Sequence, residues 1–364
     1  MIEVVLLFIL WAHLLVQLII IAGILAEPKV VTKKTNFPFV SIFVPARNEE
    51  DNIEACLKSL LLLDYPSEQV EIIVGNDSST DRTAEIIQSL SGQYPRIKLY
   101  NVVGKAGNAR AKANVLAQLI GQCKGEIIFV TDADITVPES WIKNLLPFLL
   151  EPHIGIVSGT TLVDGKSFFE KMQGLEWLLA NGNLLGLDGV GMKSTAVGNN
   201  MAFPKEAYLK TGGYEKMPFS VTEDFQLFKH IRKLGYKTYN LAHIDSLNIS
   251  KAQPKLIKLL HQRKRWMIGA RGLPWYWFPV FLISAFYVPA LIVLMFINIK
   301  SAILIAALKF IFQTLFLLYL QNKFRRKTNW LYLLVFEPYY YIINTLMIIF
   351  YLLPVKMDWK GRKY

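Results

Sequence analysis

Apolar residues are concentrated near the two ends of the chain, and the segment between them has the mixed pattern of a folded domain. Four apolar runs cover residues 1–26, 275–297, 301–320 and 330–354. A transmembrane helix needs about 20 predominantly apolar residues, and each run meets that length. The pattern predicts a transmembrane anchor at 1–27 and a C-terminal membrane region at 275–354.

The charges around the first run favour a retained anchor over a cleaved signal peptide. A signal peptide carries positive residues ahead of its apolar stretch, whereas this run begins with Glu3 and is followed by Lys29, Lys33 and Lys34. Under the positive-inside rule, the N-terminus lies outside and the chain after the anchor enters the cytoplasm. We therefore expect a multi-pass protein of the cell inner membrane or plasma membrane, with its folded domain cytoplasmic.

The fourth apolar run leaves the path of the C-terminus open. The loop 321–329 and the tail 355–364 are both basic, so both are expected on the cytoplasmic side. Three complete spans after a cytoplasmic domain would put the tail outside. Glu337 and Pro338 interrupt the fourth run, and a re-entrant segment that turns at Pro338 would resolve the conflict.

Between the spans, short β-branched and aromatic runs alternate with segments of helical periodicity. The predicted strands are 39–44, 70–74, 97–103 and 126–130, and the predicted helices between them are 52–63, 80–90 and 105–123. Such alternation is typical of an α/β domain with a mostly parallel central sheet, which we place at 38–252. Parallel sheets bind ligands beyond the carboxyl ends of their strands, where Asp77, Asp132 and Asp134 fall.

A basic amphipathic segment follows this domain at 253–272. Its apolar residues alternate with Lys, His and Arg, a composition that suits the surface of a membrane. Gln262, Arg265 and Trp266 stand at i, i+3 and i+4, so they share one face of the predicted helix. They could cover a diphosphate or stack on a sugar, or the Arg and Trp could serve only as interfacial anchors.

Composition and charge narrow the class of protein. Hydrophobic residues make up 53% of the 364, and the excess lies in the apolar runs. The net charge of +12 could favour binding to nucleic acid, to anionic lipid or to an anionic substrate. The basic residues cluster beside the apolar runs. We therefore expect the membrane surface, and not nucleic acid, as a partner. Cys56 and Cys123 lie far apart and accompany no Cys/His cluster, so zinc is not expected.

Three acidic segments could carry chemistry. Asp132 and Asp134 follow a buried-type strand, and carboxylates at this spacing can hold a hard divalent cation that grips a diphosphate. The alternative for this pair is a solvated acidic turn. Glu223 and Asp224 precede a predicted helix, where they serve either catalysis or the helix dipole. For Asp77 the alternatives are a turn and a contact to a base or ribose.

Five motifs occur in an order that resembles the family 2 glycosyltransferases. They are Val44-Pro45-Ala46-Arg47-Asn48-Glu49-Glu50, Asn76-Asp77-Ser78-Ser79-Thr80-Asp81, Asp132-Ala133-Asp134, Thr222-Glu223-Asp224 and Gln262-Arg263-Lys264-Arg265-Trp266. The similarity is to the membrane-embedded branch, which contains cellulose, chitin and hyaluronan synthases and ceramide glucosyltransferase. It covers residues 38–270, and the tail from Trp359 to Tyr364 looks like the ending of many bacterial lipid-directed members.

The resemblance implies a Rossmann-like GT-A fold flanked by transmembrane helices, an inverting reaction, Mg²⁺ or Mn²⁺ as cofactor, and a nucleotide-sugar donor, with a UDP-sugar expected. By match to the family's motifs, the base and ribose are held by Pro45, Arg47, Glu49 and Asp77, the cation and diphosphate by Asp132 and Asp134, and the donor pocket is bordered by Lys112. The match also implies Asp224 as general base with Glu223 beside it, Gly198, Asn199 and Asn200 near the acceptor, and Gln262, Arg265 and Trp266 over the donor.

The expected function is transfer of a sugar to a membrane lipid or lipid-linked acceptor at the cytoplasmic face. A small processive polysaccharide synthase is the alternative with the same chemistry, although such synthases usually carry more spans than the four apolar runs found here. A non-catalytic nucleotide-sugar-binding protein or transporter would be favoured by charges within the spans, and Glu337 is nearly alone there. A nucleotidyltransferase would release pyrophosphate instead of a nucleoside diphosphate.

Overall fold

The computed structural model of the protein describes residues 1–26, 37–360 and 362–363. The expected end of the anchor at residue 27 and the basic residues Lys29, Lys33 and Lys34 lie outside these ranges. The chain divides into two compact units, which are described separately. The apolar unit comprises Met1–Glu27, Leu175–Ser194 and Ala270–Leu346, and the sheet unit comprises Pro28–Gly174, Thr195–Gly269 and Met347–Tyr364.

Helices and strands alternate through the first half of the sheet unit, as the sequence pattern predicts. The helices of the whole chain are α1 Ile2–Gly23, α2 Ile53–Leu61, α3 Thr83–Gln93, α4 Ala111–Ile120, α5 Trp141–Leu149, α6 Phe168–Gly189, α7 Lys205–Lys210, α8 Gly213–Lys216, α9 Glu223–Lys233, α10 Leu256–Ala270, α11 Trp277–Ile297, α12 Ile299–Lys323 and α13 Trp330–Leu352. The strands are β1 Val40–Ala46, β2 Val70–Asn76, β3 Ile97–Asn101, β4 Ile127–Thr131, β5 Ile135–Thr136, β6 Ile154–Ser158, β7 Thr161–Asp164, β8 Asn200–Pro204, β9 Lys237–Asn240, β10 Asn248–Lys251, β11 Asp358–Trp359 and β12 Arg362–Lys363.

A seven-stranded sheet in the order β3-β2-β1-β4-β8-β6-β9 forms the centre of the sheet unit. The first four strands of this order are mutually parallel, β8 runs antiparallel to both of its neighbours, and β9 is parallel to β6. A second sheet has the order β5-β10-β7, and β11 and β12 form a short hairpin. The predicted α/β class with a mostly parallel sheet is therefore confirmed.

The two central parallel strands are buried along their whole length. All seven residues of β1 and all seven of β2 are buried, as expected for strands covered on both faces. Their register pairs Ala46 with Asn76, so both strands end at the same level. The next strand, β4, pairs with the other side of β1. The loops after β1, β2 and β4 therefore meet at one edge of the sheet.

The helix α4 begins at Ala111, six residues later than the predicted start at 105. Gly104 and Gly107 have positive φ angles of 64° and 56°, which an α-helix cannot contain. The side chain of Asn114 ties this loop together, since its Oδ1 accepts from the N–H of Ala106 at 2.8 Å and its Nδ2 donates to the carbonyl of Gly104 at 2.9 Å. The predicted start was wrong because tertiary contacts hold the first residues as a loop.

The apolar unit contains four helices long and apolar enough to cross a membrane: α1, α11, α12 and α13. Residues 175–189 of α6 also belong to this unit, and no sequence pattern had predicted that helix. Gly186 of α6 lies so close to α1 that a Cβ atom there would collide with the carbonyl of Ile20. Membrane helices commonly approach each other through such small residues.

The predicted break at Pro338 does not form, because α13 continues through this residue from Trp330 to Leu352. A proline removes one backbone donor from a helix, and membrane helices commonly tolerate that loss. Glu337 is also not alone within the spans: it forms an ion pair with Lys309 of α12, and its Oε2 accepts from Gln313 at 2.8 Å. Lys309 is only 2% exposed, so α12 and α13 are joined by a buried charge pair.

Candidate active site

A pocket lies at the edge of the sheet where β1, β2 and β4 end. Pro45 and Arg47 reach it from β1 and the loop that follows, Asp77 from the end of β2, and Asp132 from the end of β4. The guanidinium of Arg47 donates through Nη1 to the carbonyl of Asp77 at 2.5 Å, which ties the first two loops together. These four residues were predicted from three separate motifs, and the structure brings them together.

Side chains connect the loops after β1 and β2 in both directions. The N–H of Asn48 donates to Ser79 Oγ at 3.1 Å, and Asn48 Oδ1 accepts from the N–H of Thr80 at 2.9 Å. The N–H of Glu49 donates to Thr83 Oγ1 at 2.8 Å. The polar residues of the two motifs therefore hold the pocket wall in one conformation, in addition to any contact they make with a ligand.

Backbone strain is concentrated around this pocket. Among the described residues, five that are not glycine have positive φ angles, and four of these either line the pocket or follow directly a residue that does. They are Asn48 at 53°, Ser78 at 55°, Ala111 at 50° and Lys360 at 50°. Strained backbone persists where the surrounding structure enforces it, and such positions cluster at functional sites.

Lys112, in the first turn of α4, joins the two acidic motifs. Its Nζ lies 2.7 Å from Asp132 Oδ1 and 2.9 Å from Glu223 Oε1, and it also donates to the carbonyl of Gly198 at 3.1 Å. Burial alone would lower the pKa of Lys112, but the two carboxylates outweigh burial and raise it. The lysine is therefore a permanent cation between the residues predicted to hold the donor and those predicted to activate the acceptor.

The two aspartates of the motif Asp132-Ala133-Asp134 (DxD) differ in their charge environment. Burial opposes ionisation of Asp132, but Lys112 outweighs it and holds the pKa of this carboxyl below its ordinary value. Burial, together with the neighbouring charge of Asp132, raises the pKa of Asp134 to about 6. Across the described ranges, no three His, Cys, Asp or Glu side chains gather closely enough to hold a metal ion by themselves. A cation at this motif would need oxygen ligands from a substrate or from water.

Asp224, the predicted general base, lies at the start of α9. Burial, and then the adjacent charge of Glu223, raise its pKa to about 6. Its Oδ2 accepts from the N–H of Gly198 at 3.0 Å, and its Oδ1 accepts from the N–H of Phe225 at 2.8 Å. Glu223 lines the pocket and is 6% exposed. The carboxylate of Asp224 is thus fixed in place and has the pKa expected of a base that works near neutrality.

The segment predicted to face the acceptor has a mixed outcome. Gly198 contacts both Asp224 and Lys112 through its backbone. Asn199 lies next to it, and its Oδ1 accepts from Thr161 Oγ1 at 2.8 Å. Asn200 is fully buried, and its amide bonds Trp141 Nε1 and the carbonyls of two other core residues. Asn200 therefore holds together the structure behind this segment, and its contact with an acceptor stays a prediction.

The motif Gln262-Arg263-Lys264-Arg265-Trp266 (QxxRW) lies on α10, as its spacing predicted. Arg265 lines the pocket, and of the described residues around the pocket it is the only one from that motif. Gln262 and Trp266 are half-buried, and the guanidinium of Arg263 lies 4.2 Å from the centre of the Trp266 ring. Arg265 is therefore the member of the motif best placed to contact a bound ligand.

Several residues of the pocket were not predicted. Arg110 lies 5.6 Å from the centre of the Phe219 ring, and both side chains line the pocket. Met357 and Lys360 line it as well, although they belong to the C-terminal tail. Glu49, which was expected to contact the donor, is 5% exposed and forms an ion pair with Lys360. The sequence of the tail resembles the ending of other family members, but no pattern in it indicates that the tail lines the pocket.

Comparison with known proteins shows a matching family model and similar curated proteins. The family model described as glycosyl transferase family 21 matches residues 4–364. The chain is 29% identical over 240 residues to a beta-monoglucosyldiacylglycerol synthase of Synechocystis, covering 64% of this chain and 48% of that protein. It is 30% identical over 248 residues to the probable glycosyltransferase YdaM of Bacillus subtilis, covering 66% and 57%. The chain thus spans about half the length of these relatives.

A solved structure with a similar fold matches nearly the whole chain. It is the mannosyltransferase PcManGT from Pyrobaculum calidifontis in complex with GDP-Man and Mn²⁺. The TM-score is 0.60 at 20% identity, and the match covers 93% of this chain and 98% of the other. At this level of identity the likeness shows the fold, and it confirms the expected GT-A architecture with long apolar helices.

Proposed function

The chain belongs to glycosyl transferase family 21, and on that premise we propose that it transfers a sugar from a nucleotide-sugar to a membrane lipid with inversion at the anomeric carbon. Five sequence motifs resemble those of membrane-embedded glycosyltransferases, and the family match confirms this resemblance. The observation that carries the proposal is the pocket in which Lys112 contacts both Asp132 and Glu223, with Asp224 adjacent.

The donor side of the reaction needs a nucleoside site and a way to stabilise a diphosphate leaving group. Arg47 and Asp77 line the part of the pocket formed by β1 and β2, where they are placed to contact the nucleoside. Arg265 supplies a cation at the same pocket. Positive charge fixed beside a developing anion lowers the barrier without reorganisation during the reaction.

The DxD motif fits a divalent cation of the Mg²⁺ or Mn²⁺ type. Such ions are commonly bound by one or two carboxylates and completed by substrate phosphates and water. The raised pKa of Asp134 reflects its burial and its proximity to Asp132, and a positive ion relieves repulsion of this kind. A bound cation would supply charge neutralisation on the diphosphate. The related mannosyltransferase structure contains Mn²⁺, which is consistent with this assignment.

The acceptor side needs a single proton acceptor. Asp224 has a pKa of about 6, so it is ionised near neutral pH and can still accept a proton from an approaching hydroxyl. Its two backbone hydrogen bonds orient the carboxylate. Direct displacement by the activated hydroxyl inverts the anomeric carbon and requires no covalent intermediate on the protein.

A lipid is the proposed acceptor. The chain carries four candidate membrane spans, and a relative that matches 64% of it is named as a synthase of monoglucosyldiacylglycerol. We therefore expect a diacylglycerol or another hydroxyl-bearing membrane lipid to receive the sugar at the cytoplasmic face. As the donor we expect a UDP-sugar.

The test is a screen of donors and lipids with the full-length protein in lipid nanodiscs. Radiolabelled UDP-glucose, UDP-galactose, UDP-N-acetylglucosamine and GDP-mannose would each be incubated with diacylglycerol and Mn²⁺, followed by organic extraction. We expect label in the lipid phase with one donor, loss of that label with EDTA, and its return with excess Mn²⁺. Label in a water-soluble polymer would instead favour a processive synthase. Failure to release a nucleoside diphosphate from any donor would contradict the proposal.

A further inference from the structure

The C-terminal tail is fastened to the sheet unit beside the pocket. Lys264 of α10 is 7% exposed, and its Nζ donates to the carbonyls of Phe350 at 3.2 Å, Leu353 at 2.8 Å and Val355 at 2.9 Å. These carbonyls lie in the last turn of α13 and just after it, where a helix leaves acceptors without partners. Met357, two residues further on, is 1% exposed and lines the pocket. The tail is therefore held at its base and directed into the site.

Lys360 stands at the turn of the hairpin that ends the tail. Trp359 pairs with Arg362, so the sequence between them is Lys360-Gly361. Lys360 has a φ angle of 50°, a conformation that two-residue hairpin turns require and that glycine or asparagine usually supplies. A left-handed backbone costs other residues about 1–2 kcal/mol. The surrounding structure therefore holds Lys360 in a strained conformation.

The surroundings of Lys360 belong to the donor pocket. Its Nζ forms an ion pair with Glu49, and its carbonyl accepts from Arg47 Nε at 3.2 Å. Its side chain lines the same pocket as Asp132 and Arg265 and remains 31% exposed. The tail thus brings a positive charge to the motif residues that were expected to contact the nucleotide-sugar.

Lys360 differs from Lys112 and Arg47, two other cations of the pocket, in how its N–H groups are used. Lys112 has three N–H donors, and its contacts with Asp132, Glu223 and the carbonyl of Gly198 engage all of them. Arg47 directs its donors at backbone carbonyls. Among the described residues, the ammonium of Lys360 forms one ion pair, with Glu49, and the residue also lines the pocket. With one ion pair among the described residues and three N–H groups, this ammonium can also donate to an anionic ligand in the pocket.

We propose that Lys360, at the tip of the C-terminal hairpin, is a donor-binding residue that contacts the diphosphate of the nucleotide-sugar. This inference rests on the proposed function, because it takes the ligand of the pocket to be a nucleoside diphosphate sugar. It assigns a role to the tail, which lies far in sequence from the motifs of the GT-A domain. A charge-assisted contact from lysine to phosphate oxygen strengthens binding and is weakened by salt.

Nucleotide binding to the full-length protein in detergent tests this role directly. Titration calorimetry with UDP and with GDP, each in the presence of Mn²⁺, would compare the native chain with Lys360→Ala and Lys360→Arg. We expect Lys360→Ala to weaken binding of the preferred nucleotide about tenfold and to reduce the dependence of Kd on NaCl, since a charge-assisted contact is lost. Lys360→Arg should stay within about threefold of the native Kd. The matched control is Lys356→Ala, an exposed lysine of the same tail, which should bind as the native chain does.

Three outcomes would overturn the proposal. If Lys360→Ala binds UDP or GDP as tightly as the native chain, the lysine does not contact the ligand. If Lys360→Arg is as weak as Lys360→Ala, the positive charge is not what matters. If Glu49→Gln combined with Lys360→Ala restores native affinity, the lysine only neutralises Glu49. A native chain that binds neither nucleotide would overturn the proposed function as well, which separates the two failures.

Discussion

Replacing Asp224 by asparagine should remove activity and change how the stability of the fold depends on pH. Burial and the charge of Glu223 raise the pKa of Asp224 from 3.8 to about 6. A carboxyl whose folded pKa is raised favours folding when it is protonated, so its contribution is present at low pH and is lost as the pH rises through about 6. Asparagine has nearly the same shape and does not titrate, and because its amide can accept from only one of the two N–H groups that Asp224 accepts from, it also carries a cost that does not vary with pH.

The size of the effect follows from the two pKa values. A carboxyl with a pKa of 3.8 unfolded and about 6 folded adds on the order of 1 kcal/mol to the stability of the native chain when the pH falls from 8 to 5. The variant has no such group, so between pH 8 and pH 5 the stability difference between the two proteins should shift by that amount in favour of the native chain. For a folded unit of this size the change corresponds to roughly 3 °C in melting temperature.

The measurement is thermal unfolding of both proteins in the same detergent at pH 5, 6, 7 and 8, together with sugar transfer at pH 7.5. Loss of a general base should reduce kcat by about 10²- to 10⁴-fold. Asp64→Asn is the matched control, because Asp64 is 63% exposed and its charge change should leave both the pH profile and the activity unaltered. A stability difference that stays constant from pH 5 to pH 8, or activity within tenfold of native, would refute the reasoning about Asp224.

Three further changes test other parts of the structure. Lys112→Met should lower the melting temperature and reduce kcat at least about 100-fold, because it leaves two carboxylates unpaired; a variant with native stability would contradict the buried contacts. Gly198→Ala would place a Cβ atom 2.6 Å from Cβ of Asp224, so kcat should fall about tenfold or more while nucleotide Kd stays native; an unchanged kcat would mean that the carboxylate can shift freely. Lys309→Met should destabilise the protein by about 3 kcal/mol or more, and adding Glu337→Met should recover part of that loss, since the double variant leaves no unpaired charge; additive losses in a thermal assay would argue against the pair.

The sequence predicted those elements whose pattern is local. The four spans end within a few residues of the helices in the structure, since twenty apolar residues leave little choice of conformation. The strands that become β1, β2 and β4 were also predicted, because their β-branched and aromatic residues are buried on both faces. The acidic motifs that follow two of these strands then had to lie at one edge of the sheet.

Features that depend on distant partners were not predictable. Lys309 stands in an apolar helix, and only the packing of α13 against α12 shows that Glu337 neutralises it. Asn200 belongs to a motif that resembles an acceptor segment, and no local pattern shows that its side chain is buried and accepts a hydrogen bond from Trp141. Lys360 reaches the pocket from the far end of the chain, and no periodicity relates the two.

The start of α4 shows why a local sequence pattern does not predict the position of Lys112, which pairs with the carboxylates of the pocket. The Ala-rich run from 105 to 123 has the composition of one helix except at Gly107-Asn108, and this pair alone does not fix where the helix begins. The break comes from outside: the N–H of Asn108 donates to the carbonyl of Glu215 at 2.9 Å, which holds the first residues as a loop. Ala111 then takes a strained φ angle of 50°, and Lys112 follows it directly. A helix begun at 105 would place this lysine in its second turn, with a different orientation, so the ion pairs with Asp132 and Glu223 depend on the late start as much as on the lysine itself.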